Sequence, residues 1–265
     1  MQIGSQNADQ GDKPKKLVKG SHMTMAVRLA YSNTRYSSPP PRFALAAATP
    51  ALGEPVTLIE FLHKAQLFGV RQTLPRNHTI FSQGDSTDQV YELVSGMVRL
   101  AKHTPGGRRH ILDFVMPGEL FGLLEHSEHT VAAEAVGDVT IVSYSRSRLD
   151  ALAAGDAVVR RRILSAVTDS LLTAQQQLLI LGCQDAREKI ASFLLRLAGR
   201  SGTKAGERLA LPMGRQDIAD HLGLTIETVC RTISGLRRAG IVAVTNVHQI
   251  ALSDMRALRA LAVEI

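Results

Sequence analysis

Apolar positions along the chain change their period twice. From Thr57 to Phe68, TLIEFLHKAQLF predicts a short amphipathic helix. Between Gln72 and Tyr144 come short apolar pieces, TIF, VYELVSG, MVRLAKHT, HILDFVM, VAAEAV and VTIVSY, separated by QGDSTD, TPGGRR and PGELFG. Runs of this length with glycine-containing turns between them predict antiparallel strands closed into a roll or barrel. Gly84, Gly96, Gly106, Gly107, Gly118 and Gly122 sit where such turns need positive φ or close backbone approach.

Helical spacing returns at about Arg146. Leu164, Val167, Leu171, Ala174, Leu178 and Leu181 recur at intervals of three and four, a heptad seam. A helix packed only on its own domain could carry such a seam, but a second copy of the same helix is the better match, so a homodimer is expected. Gly182 ends this helix, and Asp185 is placed to cap the next, AREKIASFLLRLAGR, which stops at Gly202.

Further on, MGRQDIADHLG presents Ile218, Ala219 and Leu222 on one face, Gly223 supplies a sharp turn, and Thr225 is placed to cap a second helix. Helix, glycine turn and capped helix within about twenty-five residues are the sequence form of a helix-turn-helix. After Gly240, IVAVTNVHQIAL alternates around Thr245–Asn246, which predicts a hairpin wing. In the second helix Leu224, Val229, Ile233 and Leu236 face a core, which leaves Glu227 and Arg231 pointing outward together. A surface ion pair four residues apart adds only a few tenths of a kcal/mol. On a recognition helix the same pair has a use: a carboxylate accepts from cytosine N4 and a guanidinium donates to guanine O6 and N7, each contact giving roughly 1–3 kcal/mol of discrimination.

Composition agrees with an anionic partner. The net charge is +7 and the pI about 9.7. Residues 1–22 carry four lysines and two aspartates and end beside GSHM, which reads as a vector-derived leader; without them the balance is +5. Residues 23–55, with SSPPPRFALAAATPALGEP, read as a flexible extension. The only cysteines, Cys183 and Cys230, suit a reducing cytoplasm, and no apolar run approaches the roughly 18 residues that span a bilayer, so a cytoplasmic protein with no membrane partner is expected.

The stretch MGRQDIADHLGLTIETVCRTISGLRRAGIV resembles the DNA-binding motif of the cyclic-AMP receptor protein and FNR superfamily of bacterial transcription regulators, with E-T-V-x-R its most specific piece. Upstream, GDSTDQVYELVSGMVRL and MPGELFGLLE are similar to that family's β-roll, and the likeness is strongest to the FixK group of nitrogen-fixation and respiration regulators. The resemblance implies an α+β fold: an N-terminal antiparallel β-roll of the cyclic-nucleotide-binding kind (56–157), a long dimerisation helix (158–182) and a C-terminal winged helix-turn-helix (183–265). It implies a homodimer on palindromic double-stranded DNA with TTGA-type half-sites facing TCAA, RNA polymerase as a further partner, and activation. Glu227 and Arg231 would read bases, and Ile226, where cyclic-AMP receptor proteins carry an arginine, could touch only a thymine methyl. Arg215, Gln216, Thr225 and Thr228, and more weakly Thr245, match phosphate-gripping positions.

The sensor departs from the family. The Arg-Ser pair that holds a cyclic phosphate aligns with His129 and Thr130, and the base-contacting helix positions align with Ala174 and Gln175. A four-cysteinate iron–sulfur cluster of the FNR kind lacks its ligands, since no cysteine precedes Cys183. No cofactor is expected, and the roll reads as a scaffold. Two alternatives stand beside this: a sensor gated by an unrecognised effector in the roll and, remotely, a cupin-like metal enzyme using His126 and His129 on a surface turn. Cys183, near the start of a helix that approaches DNA, is a candidate redox-sensitive thiol with a lowered pKa.

Overall fold

Two four-stranded antiparallel sheets build the roll. In one, β1 (Val70–Leu74), β8 (Val139–Ser145), β3 (Gln89–Ser95) and β6 (Leu120–Phe121) lie in that order; in the other, β2 (Thr79–Phe81), β7 (Ala132–Ala135), β4 (Val98–His103) and β5 (Arg109–Val115). The computed structural model describes residues 69–123 and 127–263, all within one unit of the chain, Gly53–Ile265. The leader, the extension and the helix expected over Thr57–Phe68 lie outside the described residues.

Alternation along the strands fills the roll with Phe81, Leu93, Val98, Val115, Phe121, Val139 and Ile141. Gly96 turns β3 into β4 at φ +87°, and a Cβ there would lie 2.4 Å from the Asp138 carbonyl oxygen, so only glycine fits. Gly106 has no positive φ, unlike its neighbour Gly107 at +77°, so one left-handed residue is enough in that turn. The apolar pattern misses two strands. β1 exposes four of its five residues, and the ladder from Val70–Ser143 to Leu74–Val139 holds it instead. β6 is two residues inside PGELFG, too short to show a period.

The roll is followed by α1 (Arg146–Gly155) and α2 (Ala157–Gly182). Asp156 separates them, its carboxylate accepting from Val158 N at 2.7 Å and Val159 N at 3.2 Å to cap α2. The 26 residues of α2 extend about 39 Å. Only Val159, Gln177 and Ile180 are buried along it. Leu164, Leu171 and Leu178 are 64%, 58% and 69% exposed, an apolar stripe with no cover among the described residues.

Beyond Cys183 the chain enters α3 (Ala186–Ser201), capped by Asp185, whose carboxylate accepts from Arg187 N at 2.9 Å, and closed by Gly202 at φ +69°. Then come β9 (Arg208–Ala210), α4 (Arg215–Leu222), α5 (Ile226–Arg238), β10 (Ala243–Asn246), β11 (Gln249–Ala251) and α6 (Met255–Leu261), with the three strands in the order β10-β11-β9. The core of this half, including Ile190, Leu194, Leu222, Val229, Ile233 and Leu236, is continuous with Ala101, Ile111 and Phe114 on the outer side of β4 and β5. Phe114 meets Phe193 edge to face with ring centroids 6.2 Å apart. The C-terminal half therefore shares a core with the outer side of β4 and β5, distinct from the core inside the roll.

Candidate nucleic-acid interface

The helix-turn-helix is assembled by local rules. Asp217 accepts from Gly214 N at 3.1 Å and satisfies the start of α4. Gly223 takes φ +63° at its end, a left-handed turn that a side chain would strain. Thr225 caps α5, its hydroxyl accepting from Thr228 N at 3.2 Å. Val229, Ile233 and Leu236 are buried, whereas Glu227, Cys230 and Arg231 are exposed. Burial of one side of α5 thus leaves Glu227 and Arg231, one turn apart, on the open side.

Their local partners differ from a simple ion pair. Among the described residues no Glu227–Arg231 contact falls within salt-bridge distance, and Arg231 Nη2 donates to Thr228 Oγ1 at 3.3 Å. The Glu227 carboxyl is held below its usual range first by its own backbone N–H and then by the Thr225 hydroxyl, with the charge of Arg231 adding less. The carboxylate is therefore braced from the helix start rather than by the guanidinium.

The other predicted residues ring this helix. Ile226, at the first position of α5, is 37% exposed. Gln216 is exposed and donates from Nε2 to Asp220 Oδ1 at 2.7 Å. Arg215 opens α4 half-buried, with Nη1 enclosed and unpartnered, and burial lowers its pKa. The wing turns later than its alternation suggests. Thr245 is an exposed residue of β10, and Val247 and His248 form the tip, closed by His248 N donating to Asn246 Oδ1 at 2.8 Å. Asn246 ends the first strand because its side chain supplies the turn's hydrogen bond.

Several residues that seat the motif were not singled out from sequence. Arg109 donates to Asp217 at 2.6 Å and to Asp220 at 2.8 Å, and Arg99 reaches Asp217 at 3.3 Å and Glu134 at 2.7 Å. Thus α4 is ion-paired to β4 and β5 of the roll. His221, on the same helix, is 1% exposed; its Nδ1 lies 2.9 Å from the Ile111 carbonyl oxygen and its Nε2 2.6 Å from Arg196 Nη2. Since a carbonyl only accepts and a guanidinium only donates, Nδ1 carries the proton and the ring is neutral. Burial, then the charge of Arg196, pushes its pKa down to about 4. The available signal was Asp217 and His221 at a spacing of four beside the core residues Ile218 and Leu222.

In the roll, His129 is not on a surface turn. It is 5% exposed and stacks on Phe81 with ring centroids 3.7 Å apart, Nε2 lacking a hydrogen-bond partner. Burial and then Arg146 lower its pKa, so it stays neutral. Arg146 spends its guanidinium on the carbonyls of Thr87, Gly122 and Leu123. His126 lies outside the described residues. A cyclic phosphate needs an available cation, and neither a buried neutral His129 nor a committed Arg146 supplies one.

Cys183 also departs from expectation. It follows the last residue of α2, and its Sγ donates to the Leu179 carbonyl at 3.4 Å. Burial, then the charge of Glu188, raises its pKa rather than lowering it. The thiol belongs to the end of one helix more than to the start of the next.

Comparison with known proteins converges on the same architecture. Residues 71–156 match the cyclic nucleotide-binding domain family and residues 188–261 the Crp-like helix-turn-helix domain family. The nitrogen fixation regulation protein FixK of Rhizobium meliloti is 37% identical over 205 residues, covering 77% of this chain and 93% of that protein. The transcriptional activatory protein AadR of Rhodopseudomonas palustris is 38% identical over 169 residues, covering 62% of this chain and 70% of that protein. The solved structure of FixK2 from Bradyrhizobium japonicum superposes with a TM-score of 0.71 at 35% identity, covering 75% of this chain and all of that one. Among the described residues no helix is long and apolar enough to cross a membrane. With its β-roll, long helix and helix-turn-helix in this order, the chain belongs to the cyclic-AMP receptor protein and FNR family of transcription regulators and is FixK-like.

Proposed function

We propose that the chain is a homodimeric transcription activator that reads a palindrome of TTGA and TCAA half-sites without cyclic nucleotide or iron–sulfur cluster. The observation that carries the reading is the exposure of Glu227 and Arg231 together on a capped helix whose other side is buried. Glu227 accepts from cytosine N4 and Arg231 donates to guanine, while Ile226 meets a thymine methyl. Arg215, Gln216, Thr225, Thr228 and Thr245 grip phosphates and fix register. The exposed seam of Leu164, Val167, Leu171, Ala174, Leu178 and Leu181 supports pairing of α2 with its copy, which sets two recognition helices on one palindrome. The activating sense is supported by relatives named as transcriptional activators, and RNA polymerase is the further partner that such a role would need.

Redox modulation through Cys183 is a secondary part of the proposal, and with its pKa raised by burial and Glu188 the thiol reacts with oxidants more slowly than a thiolate at a helix start. A gel-shift titration with a TTGA–TCAA duplex, with no additive, tests the proposal. Tight, specific binding supports it, and binding no tighter than to scrambled DNA overturns it.

A further inference from the structure

The open side of α5 does not end at Arg231. At about 100° of turn per residue, Arg231, Ser234 and Arg238 all fall within about 40° of Glu227 around the helix axis, and all are exposed. Val229, Ile233 and Leu236 occupy the opposite, buried side. The stripe centred on Glu227 therefore runs to the last residue of the helix, where Arg238 stands about 16 Å along the axis from Glu227.

Among the described residues Arg238 has no ion pair and no side-chain hydrogen bond. Arg237 beside it is equally exposed and unpaired, but it lies about 80° from Glu227 around the axis, off the stripe. Both occupy the last turn, where a positive charge complements the helix dipole, so that role does not distinguish them. Between Arg231 and Arg238 the stripe is kept low by Ser234 and, beside it, Gly235. A Cβ on Gly235 would meet nothing within 4 Å. No packing among the described residues therefore calls for glycine there, and glycine weakens a helix interior relative to alanine. The low surface lets something outside the chain come close.

We infer that Arg238 grips a DNA phosphate at the edge of the major groove whose bases Glu227 and Arg231 face. This rests on the reading of α5 as a recognition helix. The groove is about 12 Å wide and curves away around the duplex, so a straight helix that meets base edges at Glu227 has reached the level of the phosphates about 16 Å further on. A guanidinium forks onto phosphate oxygens, and the low middle of the helix lets both ends of the stripe touch the duplex together. The contact fixes how the helix lies in the groove, so Arg238 is a positioning residue and not a base reader.

Fluorescence-anisotropy titrations of the full chain with the TTGA–TCAA duplex and with scrambled DNA, over a range of salt, compare the parent with Arg238→Gln, Arg238→Lys and Arg237→Gln. Arg238→Gln is expected to weaken both complexes by roughly tenfold per recognition helix at about 0.1 M salt and to make the salt slope shallower by about 0.9 per helix. The preference between the two duplexes stays as in the parent. Arg238→Lys keeps the charge and restores most of the slope, whereas Arg237→Gln changes binding by less than about threefold because solvent screens a charge off the stripe. Thermal melting of each variant matches the parent, since neither arginine has a partner in its own chain. Equal losses in Arg237→Gln and Arg238→Gln mean general charge attraction and overturn the proposal. So does a loss confined to the TTGA–TCAA duplex, which marks a base contact. A parent with no preference for its site fails the recognition-helix reading itself, and this proposal falls with it.

Discussion

His221 Nδ1 donates to the carbonyl of Ile111 across 2.9 Å, a buried bond from the first helix of the DNA-binding motif to strand β5 of the roll. Its other nitrogen accepts from Arg196, so the ring has no room for a second proton. The orientation of the motif is therefore tied to the charge state of this residue.

A pH dependence follows. The unfolded ring titrates near 6.5 and the folded one at about 4, so the unfolded state binds more protons in between and stability falls as pH drops through that window. The loss is about 2 kcal/mol by pH 5 and levels off below about 4. Urea midpoints at pH 7.5 and 5 measure it, and His221→Phe should flatten this part of the profile.

The ion pairs at α4 make a second prediction. Asp217 is the shared acceptor for Arg99 and Arg109 and also caps its own helix. Asp217→Asn leaves two partly buried guanidinium groups undercompensated and should cost about 3 kcal/mol. Chemical denaturation of the parent and variant at pH 7.5 checks this; a change under about 0.5 kcal/mol, the level of a surface pair, would show that the latch is only decorative.

The shared core gives a third. Phe114 stands on the roll yet packs on Phe193 and His221, with centroids 6.2 and 5.1 Å away. Phe114→Ala should cost about 3–5 kcal/mol and unfold roll and DNA-binding half in one transition. Two separate melting transitions in the parent protein would contradict a common core.

Wherever side chains answer to their own neighbours in the chain, the fold was legible in the sequence. Asp185 and Thr225 cap the helices that their positions predict, Gly202 and Gly223 turn where they must, and the strands from TIF to VTIVSY show their inward residues. What escaped depends on distant partners. β1 is paired by β8 about seventy residues away, and Arg99 and Arg109 meet Asp217 more than a hundred residues on. The same applies to His129, which is drawn inward by the face of Phe81, 48 residues earlier in the chain. Of the candidate interface, the exposed pair on α5 was readable because helix period alone sets its direction, while its bracing by Thr225 and Thr228 was not.

Dimerisation supplies a fourth prediction. With Leu171 and Leu178 more than half exposed, replacing both by glutamate should give monomers and abolish palindrome binding while leaving the fold intact, because neither side chain supports its own chain. Sedimentation equilibrium reads the outcome, and unchanged dimers would refute the seam.

Base readout by Glu227 is the central claim, and one competition experiment tests it most directly. Parent, Glu227→Ala and Arg215→Ala are each bound to the TTGA–TCAA duplex and to scrambled DNA at several salt concentrations. The parent should prefer its site by roughly a thousandfold or more. Glu227→Ala should lose about 1–3 kcal/mol of that preference with the salt slope unchanged, whereas Arg215→Ala should weaken both complexes alike and reduce the slope by about one. A specificity ratio that survives Glu227→Ala intact would contradict the account.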